Sequence, residues 1–265
     1  MSTLNNSLPG SGRAITFFLL LCCLLTIFGC AGFTKEPEKR ELSKQFYENL
    51  LKAFNARDYN LVKTGLDKVN EAGIADKRTR YLGALVALIE NDQDKAVIKL
   101  KEALAMDPGY GDAHNTLGTI YMQQKKFTLA ETEFLRAGGN PLYQTPEKAY
   151  HNLGNLYQLQ DKNLQAQGCY NRAISFNKDY FPSHYELSRL YFTTDRLILA
   201  REEIDKAQEI SPDHPGVWLQ IGKIEEAGGK KDKAVAAFEH VLKLAPGGTF
   251  ADQATKELKR INNSY

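Results

Sequence analysis

Apolar and small residues return at fixed offsets every 34 residues along most of this chain. Five segments, 77–110, 111–144, 147–180, 181–214 and 215–248, superimpose on one pattern, and a two-residue insertion between Pro141 and Pro146 is the one break in phase. An alanine stands at Ala96, Ala130, Ala166, Ala200 and Ala234. A bulky apolar residue follows four places on, at Leu100, Phe134, Tyr170, Ile204 and Phe238, and three further come Ala103, Ala137, Ala173, Ala207 and Val241. Steps of three and four keep one helical face apolar, so this half of each segment predicts a helix. The other half predicts a second helix with a small residue where the two approach closely. Leu117-Gly118 precedes Tyr121, Leu153-Gly154 precedes Tyr157, Leu187-Ser188 precedes Tyr191, and Trp218 leads Ile221-Gly222. Pro108, Pro212 and Pro246 share one place near the end of the unit, where a residue without an N–H stops the second helix. A period of this length predicts stacked helical hairpins, each able to bury its apolar face only against its neighbours.

A sixth, weaker unit precedes these at 43–76. Phe46, Tyr59, Val62, Leu66 and Val69 hold repeat-like places, but Leu50 stands where the small residue belongs and the closing proline is missing. An end unit packs on one side only, so its pattern is under less constraint. After Gly247-Gly248, residues 249–265 predict a last amphipathic helix that caps the stack. Phe250, Ala254, Leu258 and Ile261 form its apolar side, and Lys256, Glu257, Lys259 and Arg260 its wet side. At its packing positions each unit resembles the tetratricopeptide repeat. The resemblance implies an all-α chain wound into a right-handed superhelical solenoid of about six units.

Residues 14–29 form an uncharged, mostly apolar run behind Arg13. The run is shorter than the roughly 20 residues that span a bilayer, and its basic flank and small closing residues fit a secretory signal over 1–29. Ile27-Phe28-Gly29-Cys30 resembles the lipobox of bacterial lipoproteins. That resemblance implies cleavage before Cys30, diacylglycerol on its thiol and an acyl group on the new amine. Each buried methylene contributes about 0.8 kcal/mol, and stable attachment takes more than one chain. Ala31 in place of an aspartate implies the outer membrane, periplasmic face. Residues 30–42, charged around Pro37, read as a lipidated, solvated tether.

Charge narrows the functional classes. Thirty-four Lys and Arg are balanced by 32 acidic residues with both signs interspersed, which lacks the basic stripe of a nucleic-acid binder. The chain has no Gly-rich phosphate loop, no H-E-x-x-H and no paired-cysteine metal site, so the expectation is no enzyme, no metal and no cofactor beyond the lipid on Cys30. Cys22 and Cys23 leave with the signal, so Cys169 is the one thiol of the mature domain and reads as a small residue on a helix seam. His114 and His184 share the place of Tyr150 and Trp218 in other units, where packing accounts for a flat, half-buried ring.

In stacked helical hairpins the first helix of every unit lines the concave surface. Offsets on that helix that point inward are Tyr47, Leu51, Phe54, Tyr81, Leu85 and Leu88 in the first two units. Further along they are Asn115, Thr119, Met122, His151, Asn155, Tyr185, Arg189 and Phe192. The wall is thus expected to begin apolar and aromatic and to gain amide, imidazole and guanidinium groups, which suits an extended or helical peptide segment. The competing reading is that Leu51, Leu85 and Leu88 fill the tight interior of the superhelix.

A lipobox followed by about six such units is similar to the type IV pilus biogenesis lipoproteins, the pilotins. The similarity is closest at Leu142-Tyr143, Lys148 to Tyr150, Asn152-Leu153-Gly154, Ala166, Tyr170, Ala173-Ile174 and Asn177; Lys178 departs from it in place of the unit's closing proline. It implies a monomeric scaffold, anchored by lipid, that binds an outer-membrane secretin through its concave groove and assists secretin ring assembly. The alternative is an adaptor lipoprotein for another envelope machine, such as outer-membrane protein assembly or peptidoglycan synthesis.

Overall fold

A computed structural model describes residues 36–263. The expected signal, Cys30 and Ala31 lie outside the described residues. Among the described residues there are thirteen helices and no strand. In chain order they are α1 (Glu36–Asn55), α2 (Tyr59–Glu71), α3 (Lys77–Ile89), α4 (Gln93–Met106), α5 (Gly111–Gln123), α6 (Phe127–Gly138) and α7 (Pro146–Gln158). Then follow α8 (Asn163–Phe176), α9 (Phe181–Thr193), α10 (Leu197–Ile210), α11 (Pro215–Ala227), α12 (Lys231–Leu244) and α13 (Thr249–Asn262). Helix α1 begins inside the stretch read as a tether. Pro37 is tolerated in a first helical turn, and Glu36 and Glu38 oppose the helix dipole there.

The two helices of each unit pack together, and the second helix of one unit packs on the first helix of the next. First helices also touch across the first–second, third–fourth and fifth–sixth seams. Crowded first helices and spread second helices curve the stack, with the first helices inside. Helix α13 closes the end: Ala254 and Ile261 are buried on it, Phe250 and Leu258 pack against Leu219, Phe238 and Val241, and Lys256, Lys259 and Arg260 are exposed.

Each unit turns from its first helix to its second through one left-handed residue. These are Arg57, Asn91, Lys125, Asp161, Asp195 and Gly229, all at the same place in the period. Asn and Asp tolerate positive φ and glycine adopts it freely, whereas a long side chain costs about 1–2 kcal/mol there. Lys125→Gly should therefore stabilise the stack by up to about 1 kcal/mol, read as a higher urea midpoint.

Core packing explains the small residue of the pattern. A Cβ on Gly118, Gly154 or Gly222 would fall 2.7, 2.5 or 2.4 Å from the ring of Phe134, Tyr170 or Phe238. Ser188 fits at the same place by donating its hydroxyl to the Ala200 carbonyl at 2.7 Å. In the first unit Leu50 fills the small position while Leu66 keeps the bulky one, and Gly65, at the place of Glu133 and Glu203 in other units, makes the room: a Cβ there would lie 2.2 Å from Leu50 Cδ2. The insertion before α7 is also packed. Tyr143 is buried against Gly111, and Asn140 Nδ2 bonds the Gly109 carbonyl, so the added residues leave the phase of the next hairpin intact.

Two buried imidazoles tie units together. His114 Nδ1 lies 2.5 Å from Glu133 Oε2 and its Nε2 lies 2.9 Å from the carbonyl of Pro108 in the preceding unit. His184 repeats this with Glu203 at 2.6 Å and the Lys178 carbonyl at 2.8 Å. In the sixth unit Trp218 Nε1 donates to the Pro212 carbonyl at 2.7 Å from the same position.

Candidate protein-binding groove

The inward offsets of the first helices place the candidate residues along one wall. At the amino-terminal end Tyr47, Leu51 and Phe54 on α1 are half-buried. The Arg78 guanidinium lies 5.0 Å from the Tyr47 ring centre, and Phe54 meets Tyr59 edge-on at 5.6 Å. Tyr81, Leu85 and Leu88 on α3 continue the wall, also half-buried. The Tyr81 ring packs edge-on against Tyr110 at 5.4 Å, and its hydroxyl is 3.2 Å from Thr116 Oγ1. Burial raises the phenol pKa of both Tyr47 and Tyr81, so these hydroxyls are neutral donors and acceptors.

Polar groups take over in the middle. Thr119 donates to the Asn115 carbonyl at 3.0 Å within its own helix, and Met122 packs on the core. Asn152 Nδ2 donates to Asn115 Oδ1 at 3.0 Å, which bridges the third and fourth units. His151 Nε2 is 3.1 Å from Asn155 Nδ2, and its Nδ1 is 3.2 Å from Ser183 Oγ on the next unit. Burial pushes the His151 pKa down to about 4, so the ring is neutral at physiological pH. An amide nitrogen can only donate to Nε2, which places the single proton on Nδ1. Asn155 Oδ1 in turn lies 2.7 Å from the Tyr170 hydroxyl.

At the carboxyl-terminal end Tyr185 stacks on Phe181 at 5.9 Å and sits 5.9 Å from His214, which reaches Phe250 at 5.8 Å. Arg189 is exposed and donates to both carboxylate oxygens of Glu186 at 2.9 Å. Burial raises the Glu186 pKa against the pull of Arg189. Phe192 joins Lys223, Glu226, Ala227, Glu257 and Arg260 around a depression of about 450 Å³ between α9, α11 and α13.

All fourteen candidate residues thus lie on the first helices, and all but Arg189 are half-buried. Missing from that set are rings at the last position of a unit. Tyr110, Tyr180 and His214 each meet the inward ring of their own unit, at Tyr81, His151 and Tyr185. Their signal is a constant separation of 29 residues, outside the first helix where inward offsets were sought. The wall offers aromatic area, amides and one exposed guanidinium, but no nucleophile paired with a base and, among the described residues, no cluster of metal-ligating side chains. Cys169, away from this wall, is half-buried, and burial beside Glu131 pushes its thiol up to about 11, which keeps it protonated.

Residues 81–141, 147–180, 181–214 and 215–247 match the tetratricopeptide repeat, together more than half of the chain. Unit 43–76 lies outside these matches, in keeping with Leu50 at its small position and Gly65 beside it. No curated protein matches the chain. Among solved structures, PilF of Pseudomonas aeruginosa is similar with a TM-score of 0.74 at 19% identity, over 83% of this chain and 99% of that one. PilW, described as a widely conserved type IV pilus biogenesis factor, gives 0.72 at 18% identity, over 81% and 98%. YrrB, a repeat protein described as having an unusual peptide-binding site, gives 0.54 at 17% identity, over 72% and 97%.

Proposed function

Because the chain belongs to the tetratricopeptide-repeat family, we propose that it is a non-catalytic scaffold that holds a protein segment along its concave wall. The observation that carries this reading is the wall itself. Half-buried rings at Tyr47, Tyr81 and Tyr185 flank amides at Asn115, Asn152 and Asn155 over five units, a surface with contact area for side chains and hydrogen bonds for a backbone. The finer proposal is a lipoprotein of type IV pilus biogenesis. In it Cys30 carries the acyl chains, the stack stands on the periplasmic face of the outer membrane, and the bound segment belongs to a secretin. The lipobox supports the anchor, and similarity over nearly the full length of PilF and PilW supports the machine served.

Two measurements test the two levels. Tyr81→Glu with Leu85→Glu should abolish co-purification of the bound protein while shifting thermal unfolding by only a few degrees. Both side chains are half-buried on the wall and neither is in the fully buried core. A large loss of stability would instead assign Leu85 to packing. Deleting the gene should remove detergent-resistant secretin multimers and surface pili. Unchanged multimers would leave the scaffold standing and sink its assignment to the pilus.

A further inference from the structure

The turns that join the two helices of each unit line one edge of the stack, and this edge carries a strip of exposed apolar side chains in the third to fifth units. Leu129 is 48% exposed, Leu159 63%, Leu164 81%, Ile198 78% and Leu199 38%. Each stands within three residues of a turn: Leu129 early in α6, Leu159 just past α7, Leu164 early in α8, and Ile198 and Leu199 early in α10. The period does not require them. At the places of Leu164 and Ile198 the second and sixth units have Asp94 and Asp232, and at the places of Leu129 and Leu199 they have Lys95 and Lys233.

Charge is arranged around the strip with opposite signs at its two ends. The turn region of the second unit holds Asp92 and Asp94 against one Lys95, with Glu90 paired to Lys63 at 2.6 Å. That of the sixth holds Lys231 and Lys233 against one Asp232, with Lys230 paired to Glu225 at 3.5 Å. The middle of the strip, in the fourth unit, has one group of each sign, Asp161 and Lys162. We propose that this edge is where a second copy of the chain docks, antiparallel about a two-fold axis through the fourth unit. In a two-fold contact a patch on the axis meets its own image, and off the axis each pair of patches meets twice, i on j and j on i. The fourth unit then meets itself, Asp161 against Lys162. The third meets the fifth, apolar on apolar with Lys125 and Lys126 facing Asp195 and Arg196, and the acidic second unit meets the basic sixth. An apolar centre with charged ends has the anatomy of an interface, which in stable complexes buries about 800 Å² per partner. The dimer replaces the monomeric stack expected from the sequence and leaves the concave wall open.

Sedimentation of the full chain in detergent across a concentration series tests this. The wild type should show a reversible monomer–dimer equilibrium, and Leu164→Glu with Ile198→Glu should weaken it at least tenfold without changing the helical circular dichroism. Lys233→Asp should weaken it too, and adding Asp94→Lys in the same chain should restore it, because the swap re-pairs the charges across the axis. Leu164→Cys, in a Cys169→Ser background, should give a disulfide-linked dimer under mild oxidation, while Gln253→Cys at an exposed place on α13 should not. A monomer at every concentration, or a charge swap that fails to restore the dimer, overturns the proposal. So does loss of binding to anionic phospholipid vesicles in the Leu164→Glu, Ile198→Glu variant with no change in sedimentation, which would make the strip a lipid contact.

Discussion

Gly154→Val is expected to disrupt the centre of the stack, at a cost of about 3 kcal/mol or more. A Cβ at Gly154 would stand 2.5 Å from Tyr170 Cε1 and 2.7 Å from Cδ1, distances at which one atom must move. The Tyr170 ring is fully buried, and its hydroxyl lies within hydrogen-bond distance of Asn155 Oδ1 and Gln158 Oε1, so shifting the ring breaks buried polar contacts as well. Overfilling a packed core costs about 1–3 kcal/mol, and a buried polar group that loses its partner adds about 1–3 kcal/mol. Gly83→Ala gives the contrast. The nearest atom to a Cβ there is Leu66 Cδ1 at 3.6 Å, an ordinary contact, and replacing a mid-helix glycine by alanine stabilises by roughly 0.5–1 kcal/mol. Urea unfolding followed by circular dichroism should move in opposite directions for the two variants. Equal effects would mean that the small residue of the period serves something other than helix approach.

That contrast marks what the sequence made legible. The offsets of alanine, bulky apolar residue and small residue are local consequences of helix geometry repeated at one spacing, so all-α stacking and the inward faces of the first helices follow from them. Features that depend on two distant residues choosing each other are harder to read. Leu50 looked like a defect because its compensation, Gly65, lies in the next helix and matters only once the two pack. Glu133 and Glu203 stand 19 residues after His114 and His184, so neither histidine showed its partner until the second helix folded back on the first. Placement on the first helices was legible, while the hydrogen bonds of His151 and Asn155 were not, because Ser183 comes from the neighbouring unit. The start of α1 was hidden by its charge, since a solvated tether and the exposed first turns of a helix have similar composition.

The two histidine clamps make stability depend on pH, with the opposite sign to simple acid denaturation. Burial alone lowers the pKa of His184, but its hydrogen bonds to Glu203 and to the Lys178 carbonyl outweigh burial and hold it above the ordinary 6.5. His114 is held up in the same way by Glu133 and the Pro108 carbonyl. Both ring nitrogens face acceptors, which only a doubly protonated imidazolium satisfies. Arg136 beside Glu133 and Lys206 beside Glu203 oppose the imidazolium charge without reversing the direction. A raised folded pKa means that the folded chain binds the proton more tightly than the unfolded one. The stabilisation is therefore complete below pH 6.5 and is lost as pH climbs through the folded value. Glu203 sets the acid limit, since its pKa, raised by burial, is lowered further by His184 and Lys206, and its contribution fades only as pH falls below the ordinary 4.5. Urea midpoints should then be highest near pH 5–6 and decline towards pH 9. The sixth unit supplies the control, because Trp218 and Ala237 occupy there the places of His184 and Glu203, and the indole N–H keeps the bond to the preceding carbonyl. His184→Trp with Glu203→Ala should preserve stability at pH 8 and remove about half of the decline between pH 6 and 9, because His114 and Glu133 still titrate. Glu203→Ala alone should cost about 1–3 kcal/mol at pH 6, since it removes the carboxylate that holds His184 protonated and leaves a buried ring nitrogen without its partner. A double variant with an undiminished decline would show that the pH dependence arises elsewhere in the stack.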